Sequence, residues 1–473
     1  VSARTLPPPG LPAAGAALPA KPAAPLVQAF VAFLLLCQVT LLVPEIGSAR
    51  LFVRVAAFGA SLAMLVMVRG RRERHPAATA GVLTLLVVAL AIANPGTTSL
   101  VAGTAQAALY VSVMAPLFWV PRMSLDTKVL RQAVLILWVF HTVSAAVGVL
   151  QVYFPGSFQP PLSAIIVAKG KGYMDSLKIV TSTGQRVFRP MGLSDVPGGA
   201  AVSGLYAVLF GTGFFLTARS WGMRSAAALS MVTGMTALYL SQVRAVLVMT
   251  GIAVSAVVLI LAWRRDLARL GTLAVAAAVV AVTAYGAAMS LAGPSVARRV
   301  ATLTAERPGA VYYRERGHFL ADAFEKTLPQ APLGSGLGRW GMVASYFGRD
   351  TGPGGGDNGV WVEIQWAGWI VDGGAPLMVL YCLTVAIALW TAWTVARGRA
   401  PAGAPELPFW GAVVLAQGVG AFSLTFSYPI FLSQPGMEFW LLNAALFAVT
   451  REATRQARLR AAAPAPAAPR AAA

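Results

Sequence analysis

Arginine is the residue type whose placement in this chain most clearly implies chemistry. Arg244 interrupts the apolar sequence Tyr239-Leu-Ser-Gln-Val-Arg-Ala-Val-Leu-Val instead of sitting in a hydrophilic loop. A guanidinium so close to hydrocarbon is costly and by default faces a cavity or a partner; snorkelling to the boundary is the structural alternative. Further arginines stand in two long polar stretches, at Arg186 and Arg189 in Arg189-Pro-Met-Gly192, at Arg314 and Arg316 in Arg314-Glu-Arg-Gly-His318, and at Arg339 after Pro332-Leu-Gly-Ser-Gly-Leu-Gly. Arginine's planar, permanently charged fork binds anionic oxygens in pairs, so an anion site at a membrane–water boundary is the chemistry these positions suggest. A third segment, Gly354-Gly-Gly-Asp357-Asn358-Gly-Val-Trp361-Val-Glu363-Ile-Gln-Trp366-Ala-Gly368-Trp369, offers a carboxylate and an amide just ahead of three tryptophans suited to a membrane interface. Such groups can orient a hydroxyl or take its proton. His318 is a second possible base.

Other motifs carry less. The glycines at 334, 336 and 338 look superficially like a phosphate loop, but no βαβ unit surrounds them, and a turn returning the chain toward the membrane is the better reading. With only His75, His141 and His318, and with Cys37 and Cys382 inside apolar runs far apart, neither a metal site nor a disulfide framework is expected. No cofactor is implied.

The elements that position these residues follow from composition. Of 473 residues 57% are hydrophobic and 11% charged, against roughly one quarter charged in a soluble domain. Twelve apolar runs, at about 27–47, 50–68, 77–94, 97–120, 129–153, 198–218, 225–242, 245–263, 270–292, 375–396, 406–428 and 436–450, are continuous and not alternating, which predicts an all-α polytopic membrane protein and not a barrel. The net charge of +20 is read as topology and not as nucleic-acid binding, so no nucleic-acid partner is expected. Placing the N-terminus in the cytoplasm puts Arg69, Arg71, Arg72 and Arg74, then Arg122, Lys128 and Arg131, Arg219 and Arg224, Arg264, Arg265 and Arg269, Arg397 and Arg399, and finally Arg451, Arg455, Arg458 and Arg460 on the inside, as the positive-inside rule requires. Only Arg50 and Arg54, beside Glu45, blur the alternation. Residues 1–26 are expected to be a disordered cytoplasmic arm without a signal-peptide pattern, and 451–473 a basic, Ala/Pro-rich cytoplasmic tail.

The same assignment divides the chain into spans 1–5 (27–153), a first outer loop (154–197), spans 6–9 (198–292), a large outer loop with an interfacial helix (293–374) and spans 10–12 (375–450). Both outer loops break the charge rule. The first holds Lys169, Lys171, Lys178, Arg186 and Arg189; the second holds Arg298, Arg299, Arg307, Arg314, Arg316, Lys326, Arg339 and Arg349, partly offset by Glu306, Glu315, Asp322, Glu325 and Asp350. Long loops are translocated regardless of charge, so solvated surface is the plain alternative to an anion site.

Four segments in order carry a resemblance to the O-antigen ligase and polymerase family, membrane glycosyltransferases acting at the outer face of the inner membrane. Arg189-Pro-Met-Gly192 before a Gly/Ala-rich span is similar to the family's loop arginine. Leu240-Ser-Gln-Val-Arg244-Ala is similar to its Ser-Arg signature at a span end. Arg316, Ala323-Phe and Pro332-Leu-Gly-Ser-Gly-Leu-Gly resemble the start of its large loop, and Asp357-Asn358, nine residues, then Gly368 resembles its His-Asn, nine residues, Gly motif. The resemblance covers about 186–375. Asp357 stands where the family has histidine.

The resemblance implies a GT-C-like, multi-pass protein of the bacterial inner membrane with both termini cytoplasmic and a periplasmic active site. It implies an undecaprenyl-diphosphate-linked glycan donor, a glycan or lipid-linked acceptor, and membrane lipids and other polysaccharide assembly proteins as partners. Arg244, Arg316 and Asp357 would be catalytic; Arg186, Arg189, Arg314, His318, Arg339 and Asn358 would bind substrate. A surface-polysaccharide polymerase is the first expectation. A ligase to lipid A-core or a protein O-oligosaccharyltransferase is the second, and a flippase of lipid-linked glycans or a purely structural membrane partner are the readings of another class. Translocation is disfavoured by span centres that carry almost no ionisable residue beyond His141, and by the absence of a clear internal repeat.

Overall fold

The computed structural model describes residues 24–70, 73–162, 166–167, 170–181, 183–305, 307–348 and 360–462. The arm before residue 24, the tail beyond 462, and Arg71, Arg72, Lys169, Glu306, Arg349, Asp350, Asp357 and Asn358 lie outside the described residues. Each apolar run has a helix of its own, the run at 97–120 with a bent continuation: α1 Ala24–Thr40, α2 Arg50–Met67, α3 Ala78–Ala91, α4 Leu100–Met114, α5 Thr127–Tyr153, α6 Gly199–Thr217, α7 Trp221–Ser241, α8 Arg244–Trp263, α9 Leu267–Ala292, α10 Gln365–Arg397, α11 Leu407–Leu424 and α12 Gln434–Ala462. Among the described residues seven of these, α2, α5, α6, α8, α9, α10 and α11, are long and apolar enough to cross a membrane, and α4 with the bent continuation Pro116–Arg122 makes an eighth if that pair is one span. The molecule is an all-α membrane protein.

Polar N-caps start several helices. Ser99, Asp126, Ser220 and Asp266 each accept a hydrogen bond from the backbone N–H three residues on, at the heads of α4, α5, α7 and α9, and each such cap is worth about 1 kcal/mol. The centre of the bundle is α6 and α11, whose apolar windows are each 83% buried, whereas those of α2 and α9 are 17% buried and present their side chains outward. Around α6 pack α5, α7 and α8; around α11 pack α8, α10 and α12.

Contacts sort the connections into two ends. At one, here termed the loop end, the α1–α2, α3–α4, α5–α6, α7–α8, α9–α10 and α11–α12 connections touch one another, as helices that alternate in direction require: Arg54 of α2 pairs with Asp195, Asn94 donates to the Gly334 carbonyl, Arg244 pairs with Glu315, and the Tyr312 hydroxyl donates to the Phe426 carbonyl. The Arg54–Asp195 pair thus neutralises one of the two cations of the first turn. At the opposite end arginines close exposed helix carbonyls: Arg122 donates to Leu65 and Val68, Arg264 to Ala396 and Gly398, Arg224 to Ala218, and Arg451 to Pro121 and Met123. Cations there also oppose the negative ends of the helix dipoles.

The two long connections carry structure of their own. The first contains a β-hairpin, β1 Lys178–Val180 antiparallel to β2 Arg186–Phe188 with Ile179 opposite Val187, which the sequence pattern does not announce. The second begins with a helix at Pro294–Ala305 and continues through a helical stretch, 308–330, whose turns at Tyr313–Gly317 and Ala323–Thr327 are widened to the π form.

The glycine-rich segment 332–338 behaves as a turn toward the bundle. Helix α10 breaks at Gly373 and Gly374, leaving Gln365–Asp372 as a separate short helix ahead of the span. The Ser335 N–H donates to the Val371 carbonyl (2.7 Å) and the Ala375 N–H to the Pro332 carbonyl (2.9 Å), so backbone groups freed by the break are satisfied by the loop. Gly336 holds φ +101 with its Cα against Gly96 and Thr97, where a Cβ would come within 2.4 Å of the Thr97 nitrogen.

Candidate functional site

Three arginines meet at the loop end. Arg244 is the first residue of α8, reached from α7 through a two-residue corner in which Gln242 is left-handed (φ +54). Its side chain is 12% exposed, and Nη2 lies 2.8 Å from Glu315 Oε1. A cation at a helix N-terminus adds to the positive end of the dipole; an anion beside Arg244 is doubly favoured there, and Glu315 is that anion in this structure. Arg316, in the first widened turn, pairs with Glu363, which also accepts from Trp361 Nε1 (2.8 Å). π turns recur at functional sites because they re-aim a side chain within a helix.

Arg189 follows β2 and completes the group. Burial pushes its guanidinium pKa down; Arg316 and Arg244 add to that, and Glu315 and Tyr173 oppose it. Its Nε is buried without a hydrogen-bond partner among the described residues. The charge sum of Arg189, Arg244 and Arg316 against Glu315 and Glu363 is +1, in a half-buried setting where like charges repel more than in water. An incoming anion would relieve that repulsion.

The loop bearing Arg189 is held by buried polar side chains of α5. Gln151 Oε1 accepts from the N–H groups of Met191 (2.7 Å) and Gly192 (2.8 Å), and its Nε2 donates to the Gly192 carbonyl (2.9 Å). Ser144 Oγ accepts from the Leu193 N–H. Gly192 sits at φ +64, with room for a Cβ only at 2.5 Å from Ser144 Oγ; no other residue fits there without strain. Asp195 then ties the loop to α2 through Arg54, whose Nη1 also lies 3.1 Å from Met342 Sδ.

The remaining expected residues are dispersed. Arg186 is exposed on β2, and Arg314 is exposed on the helical stretch. His318 Nδ1 faces the Tyr313 carbonyl at 3.2 Å and its ring lies beside Phe319, a local arrangement. Arg339 bonds the Ser335 carbonyl, and its own carbonyl accepts from Val360, so it anchors the glycine turn. Asp357 and Asn358 lie outside the described residues.

Sequence reasoning missed Tyr173, Glu315 and Glu363 as members of the group. Tyr173 lies near Arg189 and Arg316, and its ring meets that of Trp361 edge-on at 6.4 Å, joining the two long connections. It also missed two buried carboxylates, Asp372 just ahead of the span expected at 375–396 and Glu438 near the start of α12. Asp372 is 0% exposed and accepts from Tyr110 (2.7 Å), Trp340 (2.9 Å) and Gln106 (3.2 Å), pinning the segment after the glycine turn to α4. Glu438 is 1% exposed, 3.8 Å from His141 Nε2, and takes a hydrogen bond from Gln434. Buried carboxylates need such partners.

Among the described residues no group of three or more His, Cys, Asp or Glu side chains could hold a metal ion. The crevice beside Arg244, lined by Tyr239, Val243, Leu247 and Val300, holds about 10 Å³, room for no more than a water. No protein-family model matches the chain, and no curated protein sequence matches it.

Proposed function

We propose that this chain is a multi-pass glycosyltransferase of the O-antigen ligase and polymerase type, with twelve spans in a GT-C-like arrangement, working at the periplasmic face of the bacterial inner membrane. The observation that carries the reading is the convergence of Arg189, Arg244 and Arg316 from three separate segments at one end of an apolar bundle. The transfer breaks the bond between the glycan's anomeric carbon and the diphosphate oxygen and forms a bond to an acceptor hydroxyl oxygen. The electron pair leaves with undecaprenyl diphosphate, whose growing charge the three guanidiniums stabilise. The hydroxyl proton passes to Asp357, three residues before the Val360 that bonds Arg339, with Asn358 orienting the acceptor. Confinement of both substrates to the membrane surface supplies proximity.

The acceptor we favour is a second glycan repeat, making the chain a surface-polysaccharide polymerase. Replacing Arg244 by Lys is expected to abolish polymer formation while the protein still inserts and purifies, because a point charge cannot replace the paired fork. Undiminished polymer from that variant removes the site. Loss of the chain should leave single repeats on the carrier, whereas long chains accumulating on undecaprenyl diphosphate would identify a ligase. The buried His141–Glu438 pair favours one competing reading, translocation of the lipid-linked glycan. Protein in liposomes separates the two: product without net lipid movement supports transfer.

A further inference from the structure

A cavity of about 760 Å³ lies at the opposite end from the arginine group, between α2, α3 and the bent segment Pro116–Arg122. Its wall is apolar, formed by Val66, Val82, Leu83 and Phe118, of which Val66 (75% exposed), Val82 (56%) and Leu83 (46%) present bare hydrocarbon. Its mouth is basic. Arg69, Arg74 and Arg122 line it, and Arg122 is held in place by its bonds to the Leu65 and Val68 carbonyls. Arg69 and Arg74 are exposed and have no ion-pair partner among the described residues. The carboxylate at the mouth, Glu73, is engaged from α12 by Arg451 (2.8 Å).

Charge and apolarity are thus stacked along the helix axis, with cations where α2 ends and hydrocarbon alongside α3. We propose that this groove is a binding site for an acidic glycerophospholipid, its phosphate at Arg69, Arg74 and Arg122 and an acyl chain along Val82 and Leu83. A soluble anion would use the mouth and ignore the wall; a zwitterionic lipid would use the wall and gain little from the mouth. Only a ligand carrying both a net negative head and a chain uses all of it. The proposal depends on the chain being membrane-embedded and not on glycan transfer.

Native mass spectrometry of the detergent-solubilised full chain tests it, with phosphatidylglycerol, phosphatidylcholine and inorganic phosphate as separate titrants. Phosphatidylglycerol should be retained in preference to phosphatidylcholine, and millimolar phosphate should not displace it. Each basic residue near an anionic head contributes about fivefold in affinity, so the Arg69→Ala/Arg74→Ala double variant should lose about 25-fold. Leu83→Trp fills the wall without altering charge and should also weaken retention. Equal retention of the two lipids, displacement by phosphate, or unchanged retention in both variants overturns the proposal. Polymer formation is measured separately, at a site these exposed residues do not touch.

Discussion

At the scale of single residues, arginines do different work at the two ends. At the opposite end Arg122, Arg224 and Arg264 bond backbone carbonyls; at the loop end Arg244 and Arg316 pair with carboxylates that a substrate would have to replace. Glu315 is the clearest case. Converting Glu315 to Gln removes the anion from Arg244 while keeping its shape, and should raise affinity for a diphosphate analogue several-fold in a fluorescence or calorimetric titration; unchanged affinity would separate Arg244 from anion binding. Gln151 gives the complementary test. Gln151→Leu leaves the buried N–H groups of Met191 and Gly192 without an acceptor, at about 1–3 kcal/mol each, and hydrogen exchange at 189–195 should quicken while the bundle keeps its protection. The arginines were readable in the sequence because guanidinium beside apolar residues is conspicuous. Their partners were not, since Glu315 lies 71 positions from Arg244 and nothing local marks one loop glutamate over another.

At the scale of elements, hydrophobic run length predicted every long helix, and the polar caps at Ser99, Asp126, Ser220 and Asp266 agree with it. The break in α10 at Gly373 and Gly374 is not marked by run length, which places only the span that follows it. Its cause, a glycine turn from elsewhere docking into it, depends on tertiary contact. Gly336→Val tests that docking: a Cβ forced against Gly96 and Thr97 at positive φ should lower the melting temperature by several degrees in detergent, and wild-type melting would show the turn to be dispensable. The far end of α12 carries a pH signature. Hydrogen bonds from Arg455 hold the Glu452 carboxyl down to about 2. A depressed acid contributes stability that is present above its unfolded pKa, near 4.5, and is lost as pH falls toward 2; Glu452→Gln should flatten that part of a stability–pH curve and leave neutral pH nearly unaffected in slope.

At the scale of the whole molecule, connections sorted to two ends make a topology prediction. In a background with Cys37 and Cys382 replaced, a cysteine at Lys171 should react with an impermeant maleimide on intact spheroplasts, and one at Arg399 only after the membrane is opened. The reverse pattern inverts the chain and moves the arginine group to the cytoplasm. The docking of the glycine turn also bears on how such a chain is made. Asn94 and Thr97, near its beginning, find their partners in Gly334 and Leu337, 240 positions later. A ribosome releasing the third and fourth helices must therefore leave a polar rim open until about 240 further residues have been made, and a nascent chain halted before residue 334 carries that rim unfilled.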